Sequence, residues 1–269
     1  MVELTQERKR KRGATVRTAD VEDGQPRPSR RERVRATTVE EIKATALELI
    51  EKHGTAGLRF SDIAAEMGFT APALYRYFAD RDELLTALVT DSYSGLTAAL
   101  TAARDACTDD VDDRLRAACV AYRGWALANP QRFALIFGAP VPGYAAPPDG
   151  PTLEAGRSTM AHIAELFADA DRVGRRRAAP AADPAAAGEC DLPPETMDAV
   201  LLTWSTVHGF VSLETYGHFH ALDQQARDRL FEVQVRNAAA TAGLTPPQAP
   251  GPGGPGTPGA GRIGRRRTW

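Results

Sequence analysis

Residues 60–85 read FSDIAAEMGFTAPALYRYFADRDELL, and they are the most informative part of the sequence because start and stop signals for successive helices follow one another within it. Ser61 is placed to cap a first short helix, since its hydroxyl can accept a hydrogen bond from an amide of the first turn. Gly68 supplies the left-handed residue that ends this helix. Its buried side is predicted to consist of Ile63, Ala64 and Met67.

A second short helix follows after a tight turn. Thr70 is predicted to cap it, and Pro72 lies in its first turn, where a missing N–H costs little. Leu74 and Phe78 are four residues apart and therefore lie on the same side of the helix, which we expect to be the buried side.

Two longer helices flank this pair. Before it, apolar residues recur at helical spacing over residues 38–53 and predict an amphipathic helix that stops at Gly54. After it, Asp80 is followed three positions later by Glu83, a capping box that opens the next helix. Two short helices that are joined through a glycine-containing turn and braced by a longer helix make a helix-turn-helix.

The second short helix leaves an unusual set of side chains outside once its apolar side is buried. An ordinary solvated face more often carries Glu and Lys. Small residues allow a helix to approach base edges in a major groove about 12 Å wide, while hydroxyls and a guanidinium reach phosphates or bases. A tyrosine-rich packing edge is the alternative interpretation. The outward set is Thr70, Ala71, Ala73, Tyr75, Arg76 and Tyr77.

Residues 36–90 resemble the N-terminal domain of TetR-type transcriptional repressors. The most specific feature is a Leu-Tyr-x-x-Phe core that begins at Leu74 and is followed by a basic residue and Glu-Leu-Leu. The resemblance implies a three-helix DNA-binding domain and a helical domain for ligand binding and dimerisation, about nine helices in all. No stretch shows strand-like alternation with hairpin signals, so we expect an all-α fold.

The expected domain organisation has four parts. A disordered basic arm occupies residues 1–35, and the DNA-binding domain occupies residues 36–82. The regulatory and dimerisation domain follows at residues 83–242, and a disordered Pro/Gly-rich tail occupies residues 243–269.

The resemblance also implies roles for individual residues. The helix that begins at Thr70 would enter the major groove, with Tyr75 and Tyr77 on phosphates. Arg81 stands where the family usually has Lys and still presents donors to a phosphate. Thr37 or Thr38, near the start of the first helix, would offer an amide and a hydroxyl to a phosphate. The full set expected at DNA is Thr38, Ser61, Thr70, Ala71, Pro72, Ala73, Tyr75, Arg76, Tyr77 and Arg81.

The C-terminal part resembles the family in fewer residues. The segment WSTVHGFVSLE at residues 204–214 resembles a Trp-His-Gly motif of one subgroup, although Val207 stands where that motif has Trp. In such repressors the last two long helices, here residues 195–217 and 223–242, pair with those of a second chain. Two recognition helices then lie about 34–36 Å apart, so the expected DNA partner is a near-palindromic operator.

The remaining helices would enclose a cavity for an unidentified small-molecule effector, as the resemblance implies. Plain packing in a helical core is the alternative for each candidate lining residue, because large apolar side chains are needed there in any case. The candidates are Tyr93, Tyr122, Trp125, Phe133, Phe137, Met160, Phe167, Trp204 and His208.

The net charge of −2 hides an uneven distribution. Residues 1–35 carry +5 and residues 243–269 carry +4, which leaves −11 for the part between them. Any DNA contact must therefore come from a local patch or from the basic ends. The alternative function is a helical DNA- or protein-binding module without ligand control, in which the basic tails supply non-specific affinity.

Other chemistry finds little support in the sequence. Neither a Gly-x-Ser-x-Gly elbow nor a phosphate loop occurs, and His218-x-His220 lacks a third metal ligand, so we expect no enzyme, no metal and no cofactor. Cys107, Cys119 and Cys190 match no disulfide framework. No apolar run approaches the ~20 residues of a spanning helix and no secretion signal is recognised, so we expect a cytoplasmic protein without a membrane partner.

Overall fold

The computed structural model describes residues 29–107, 110–177 and 193–244. In these ranges the chain is all-α, with nine helices and no strand, as the sequence predicted. The expected arm up to residue 28, the tail from residue 245 and Cys190 lie outside the described residues. The helices are α1 Arg30–His53, α2 Phe60–Glu66, α3 Ala71–Leu74, α4 Arg81–Asp105, α5 Val111–Ala128, α6 Pro130–Phe137, α7 Pro151–Arg172, α8 Pro194–Thr215 and α9 Gln224–Thr241.

The first helix begins earlier than the sequence analysis predicted. Ser29 Oγ accepts a hydrogen bond from the Glu32 amide at 3.2 Å, and the Ser29 amide donates to a Glu32 carboxylate oxygen at 2.6 Å. This reciprocal pair is a capping box, and it starts α1 at Arg30. The prediction of an arm through residue 35 is therefore wrong for residues 30–35, because their charged first turns show no apolar periodicity.

The start of α2 also differs from the prediction. Arg59 is the N-cap residue and makes no side-chain capping bond. Ser61 lies inside the first turn, where its hydroxyl donates to Asp62 Oδ1 at 3.1 Å. The predicted Ser61 cap is wrong because Phe60 is already helical. Gly68, with φ of +66°, follows α2 in the left-handed conformation that was predicted for it.

The capping box at the start of α4 is confirmed. Asp80 Oδ1 accepts from the Glu83 amide at 2.8 Å, and the Glu83 carboxylate accepts from the amide of Ala79. From this cap α4 continues to Asp105, so the expected domain boundary between residues 82 and 83 falls inside one unbroken helix.

Helices α4 to α9 share one apolar core. In this core α4 packs against α5 and α7, whereas α8 packs against α9. A buried ion pair joins three of these helices. Two guanidinium nitrogens of Arg123 in α5 bind the two carboxylate oxygens of Glu214 in α8 at 2.6 and 2.7 Å. The Arg123 guanidinium also lies 4.8 Å from the ring centroid of Phe231 in α9. None of the helices in the described ranges is long and apolar enough to cross a bilayer.

Candidate functional site

Helix α3 and the turn after it present an exposed face with few charges. Leu74 and Phe78 are buried, as predicted, and fix the inner side of α3 and of the turn after it in the protein interior. Regular α-helix ends at Leu74, but the amides of Arg76 and Tyr77 still donate to the carbonyls of Ala73 and Leu74. The outward residues are exposed at Thr70, Ala71, Pro72, Tyr75 and Arg76 and half-buried at Ala73 and Tyr77.

Tyr75 is the most prominent of these side chains. Its ring lies 5.2 Å from the ring of Phe60, centroid to centroid, although more than half of its surface stays exposed. The aromatic contact with the first residue of α2 restrains the ring of Tyr75. A phenol that is restrained and exposed in this way is suited to contact a phosphate, and that role stays a prediction.

Arg81 has an internal role that the sequence analysis missed. Its Nε donates to the carbonyl of Leu58 and its Nη2 to the carbonyl of Thr55, each at 3.1 Å. Another guanidinium nitrogen lies 3.8 Å from Asp82 Oδ1. Arg81 therefore fastens the start of α4 to the connection between α1 and α2. Its expected phosphate contact stays a prediction.

Thr38 does not fit its expected role. Because α1 begins at Arg30, Thr38 lies in the helix interior and not near the helix start. Its hydroxyl donates to the carbonyl of Val34 at 3.1 Å. An amide in a helix interior is bonded to the preceding turn and cannot bind a phosphate. The premise of the Thr38 prediction is therefore wrong.

A second feature is a small cavity between α4, α5, α7 and α8, with a volume of about 40 Å³. A cavity of this size holds about one or two water molecules and is much smaller than a drug-sized ligand. Its wall carries no Asp, Glu, Lys or Arg. The lining residues are Leu100, Leu115, Ala118, Cys119, Tyr122, Ile163, Leu166, Thr203, Trp204, Val207 and His208.

The nine residues expected at a ligand cavity divide into three groups. Tyr122, Trp204 and His208 line the cavity. The rings of Phe133 and Phe137 pack against them, and the ring of Tyr93 meets that of Phe137 edge-on. The structure does not bring Trp125, Met160 and Phe167 to the cavity wall, and these three side chains pack in the surrounding core.

Aliphatic and small residues make up most of the wall, and the sequence analysis did not single them out. Nothing in the sequence distinguishes them from ordinary core residues, because their shared cavity arises only from packing. Cys119 is an example. Burial raises the pKa of the Cys119 thiol to about 12, so this side chain stays a protonated thiol near neutral pH and is no nucleophile.

Polar groups at one end of the cavity form a short chain. The Tyr122 hydroxyl lies 2.7 Å from His208 Nδ1, and His208 Nε2 lies 3.2 Å from the Ser212 hydroxyl. Burial lowers the pKa of His208 and raises the pKa of Tyr122, so both side chains are neutral near pH 7. Both ring nitrogens of His208 thus already have partners.

Comparisons with known proteins agree with this architecture. Residues 42–88 match the family of bacterial regulatory proteins described as tetR, and residues 115–238 match a tetracyclin repressor-like C-terminal domain. The HTH-type transcriptional regulator Rv1816 of Mycobacterium tuberculosis is 36% identical over 226 residues, which cover 73% of this chain and 90% of that protein. The chain therefore belongs to the tetR family and is a helix-turn-helix transcriptional regulator.

Solved structures show the same fold. The regulatory protein SCO4313 is 37% identical with a TM-score of 0.63, and the match covers 79% of this chain and all of that one. The fatty acid degradation regulator FadR of Bacillus halodurans is 17% identical with a TM-score of 0.56 and covers 75% of this chain and 94% of its own, which shows the fold alone. Membership of the Trp-His-Gly subgroup stays a prediction.

Proposed function

We propose that this regulator is a homodimeric repressor that binds a near-palindromic operator and leaves it when a small molecule occupies the cavity. The exposed face around α3 carries the proposal. Ala71 leaves room for close approach to base edges, Arg76 supplies a guanidinium for bases or phosphates, and Tyr75 is restrained and exposed. We place this function in the cytoplasm, where the DNA of a bacterium lies.

A second copy of the chain is the proposed partner of α8 and α9. Leu202, Gly209 and Leu213 are exposed in α8 and lie on one helix face by their spacing. In α9, Leu230 and Val233 are exposed three residues apart. The proposed interface is therefore an apolar stripe on each of two helices that already pack together, as a four-helix bundle of two chains requires.

Gly209 gives the stripe its shape. A Cβ atom built at Gly209 would meet no atom within 4 Å, so the glycine opens onto free surface and not onto its own core. Lacking a side chain between Leu202 and Leu213, it lets a facing helix approach closely. A two-fold assembly through this stripe would present two α3 helices to DNA, which accounts for an operator with two half-sites.

Phe137 supports the proposed release by ligand. Its ring centroid lies 5.1 Å from that of Trp204 and 5.0 Å from that of His208, two residues of the cavity wall. Phe137 also lines an open cavity of about 540 Å³ together with Ile50 and Gly54 at the end of α1. A ligand that displaces the aromatic wall therefore acts on a side chain next to the DNA-binding helices. The ligand lowers DNA affinity by its differential binding to the two states.

Selection of bound sequences from a random duplex pool tests this function. The native chain should recover a near-palindrome with two half-sites about one helical turn apart. A chain that lacks residues 1–28 keeps the cap of α1 and should recover the same sequence with modestly lower affinity. Loss of all binding on this truncation would favour the alternative function, in which basic tails bind nucleic acid without sequence preference.

A further inference from the structure

The hydroxyl of Thr203 is buried in the cavity wall without a hydrogen-bond partner. Thr203 is 4% exposed, and its Oγ1 is one of three buried polar side-chain atoms in the described ranges that have no partner. Other helical threonines use the carbonyl one turn earlier. Thr90 donates to the Thr86 carbonyl at 2.8 Å, and Thr206 to the Leu202 carbonyl at 2.8 Å. An unpaired buried hydroxyl weakens the fold, so its presence in a cavity needs an explanation.

The other polar groups of the cavity do not supply that partner. The Tyr122 hydroxyl and both ring nitrogens of His208 are held in the chain that ends at Ser212. A buried water molecule needs two to four polar partners, and the remaining wall next to Thr203 is mostly aliphatic and aromatic. Water is therefore a poor occupant of this site.

We propose that Thr203 is the hydrogen-bonding anchor of the effector, and that the effector is an uncharged, mostly apolar small molecule with one oxygen acceptor. This inference rests on the proposed function, in which a small molecule occupies the cavity. The wall carries no charged side chain, so an ionic ligand would lose its hydration without compensation. An apolar body with one carbonyl or ether oxygen matches a wall with one unused hydroxyl.

The cavity must widen when such a molecule enters. Its volume of about 40 Å³ is smaller than one aromatic ring needs. Trp204 is one of the half-buried residues of the wall, and its ring stacks on His208 at a centroid distance of 5.1 Å with an interplanar angle of 8°. Displacement of the Trp204 ring from this stack opens space in the cavity wall while His208 keeps its hydrogen bonds to Tyr122 and Ser212.

Calorimetric titration of the full chain with matched probes tests the inference. Acetophenone carries a carbonyl oxygen, α-methylstyrene has the same shape without it, and benzoate adds a charge. The variants are Thr203→Val, which keeps the shape and removes the hydroxyl, and Thr203→Ser, which keeps the hydroxyl. Thr215→Val is the matched control, because Thr215 Oγ1 is also buried without a partner in α8 but lies outside the cavity.

The native chain should bind acetophenone about tenfold more tightly than α-methylstyrene and should not bind benzoate, since one hydrogen bond to an otherwise unpaired group sets this difference. Thr203→Val should abolish the preference, while Thr203→Ser and Thr215→Val retain it. Equal affinity for the two neutral probes, absence of binding by both, tighter binding of benzoate, or a preference that survives in Thr203→Val would overturn the inference.

The titration contains no DNA, so its outcome is separate from that of the proposed function. A chain that passes the probe test but recovers no palindrome would keep the assigned ligand class and lose the repressor function. A chain that recovers a palindrome but shows no preference for acetophenone would keep the repressor function and lose the role of Thr203.

Discussion

The hydroxyl oxygen of Tyr122 in α5 lies 2.7 Å from Nδ1 of His208 in α8, which joins two helices at the edge of the cavity. The other ring nitrogen of His208 reaches Ser212 one helical turn further along α8. Since burial disfavours the charged form of either ring, this end of the cavity is a neutral hydrogen-bonded wall. It limits both what binds there and how the protein responds to acid.

Acidification should destabilise the protein through His208. Burial holds the pKa of His208 below its ordinary value of 6.5, so the unfolded chain takes up a proton before the folded chain does. The contribution of neutral His208 to the free energy of unfolding is therefore fully present above about pH 6.5. Below that pH it falls by at most about 1.4 kcal/mol per pH unit. Urea unfolding at pH 7.5 and 5.5 measures this change.

The variant His208→Gln isolates that contribution, because the amide does not titrate. The native chain should lose more stability between the two pH values than the variant loses. Carboxylates whose pKa is lowered, such as those of Asp110 and Asp228, change protonation only at lower pH and affect this window little. Identical losses in the two chains would contradict the assignment to His208.

Removal of one partner of the buried ion pair should destabilise the helical core. In Arg123→Met, the carboxylate of Glu214, whose side chain is 1% exposed, loses its bidentate partner. We expect a loss of about 3–5 kcal/mol in the free energy of unfolding. The double variant with Glu214→Leu should recover part of this loss, because the buried carboxylate that lost its bidentate partner is then removed as well. Urea unfolding measures both variants. Equal losses in the free energy of unfolding for the single and the double variant would exclude the ion pair as the cause.

Two substitutions on the α3 face should have different effects on DNA binding. Tyr75→Phe keeps the ring against Phe60 and removes only the hydroxyl. It should therefore lower the affinity for the operator and for unrelated duplexes by a similar factor. Arg76→Ala should change the sequences that the protein selects. Fluorescence anisotropy at fixed salt, followed by repeat selection, measures both. If Arg76→Ala selects the same sequence as the native chain, Arg76 does not take part in base recognition.

Substitution of Gly209 should separate dimerisation from folding. A Cβ atom at this position meets no atom of its own chain within 4 Å, so Gly209→Glu should keep its helical circular dichroism. The buried charge should nevertheless break the dimer in sedimentation equilibrium. Gly209→Ala is the control and should weaken the dimer much less. A Gly209→Glu protein that sediments as the native dimer would rule out this stripe as the interface.

Local signals predicted much of the fold and part of the candidate site. The cap at Asp80 and the left-handed Gly68 depend on a few neighbouring residues, so the sequence was enough to find them. The hydrogen bond from Arg81 to Leu58 joins residues that are 23 positions apart, and no local pattern indicates it. The unpaired hydroxyl of Thr203 is even harder to predict from the sequence, because only the packing around it shows that it lacks a partner.

The start of α1 was predicted too late for a different reason. Ser29 and Glu32 have the spacing of a capping box, but the turns that follow carry charged side chains and no apolar stripe. Apolar periodicity begins only after these turns and therefore predicts a helix start that is too late. The expected phosphate contact of Thr38 depends on that late start.

Sequence-specific recognition of duplex DNA can be measured by comparing two duplexes. The affinity of the native chain for the selected palindrome is compared with its affinity for the same duplex with both half-sites scrambled, at one salt concentration. We expect a ratio of about 10³ or more, with two chains on each palindrome. Equal affinity for the two duplexes, or one chain on each, would contradict it.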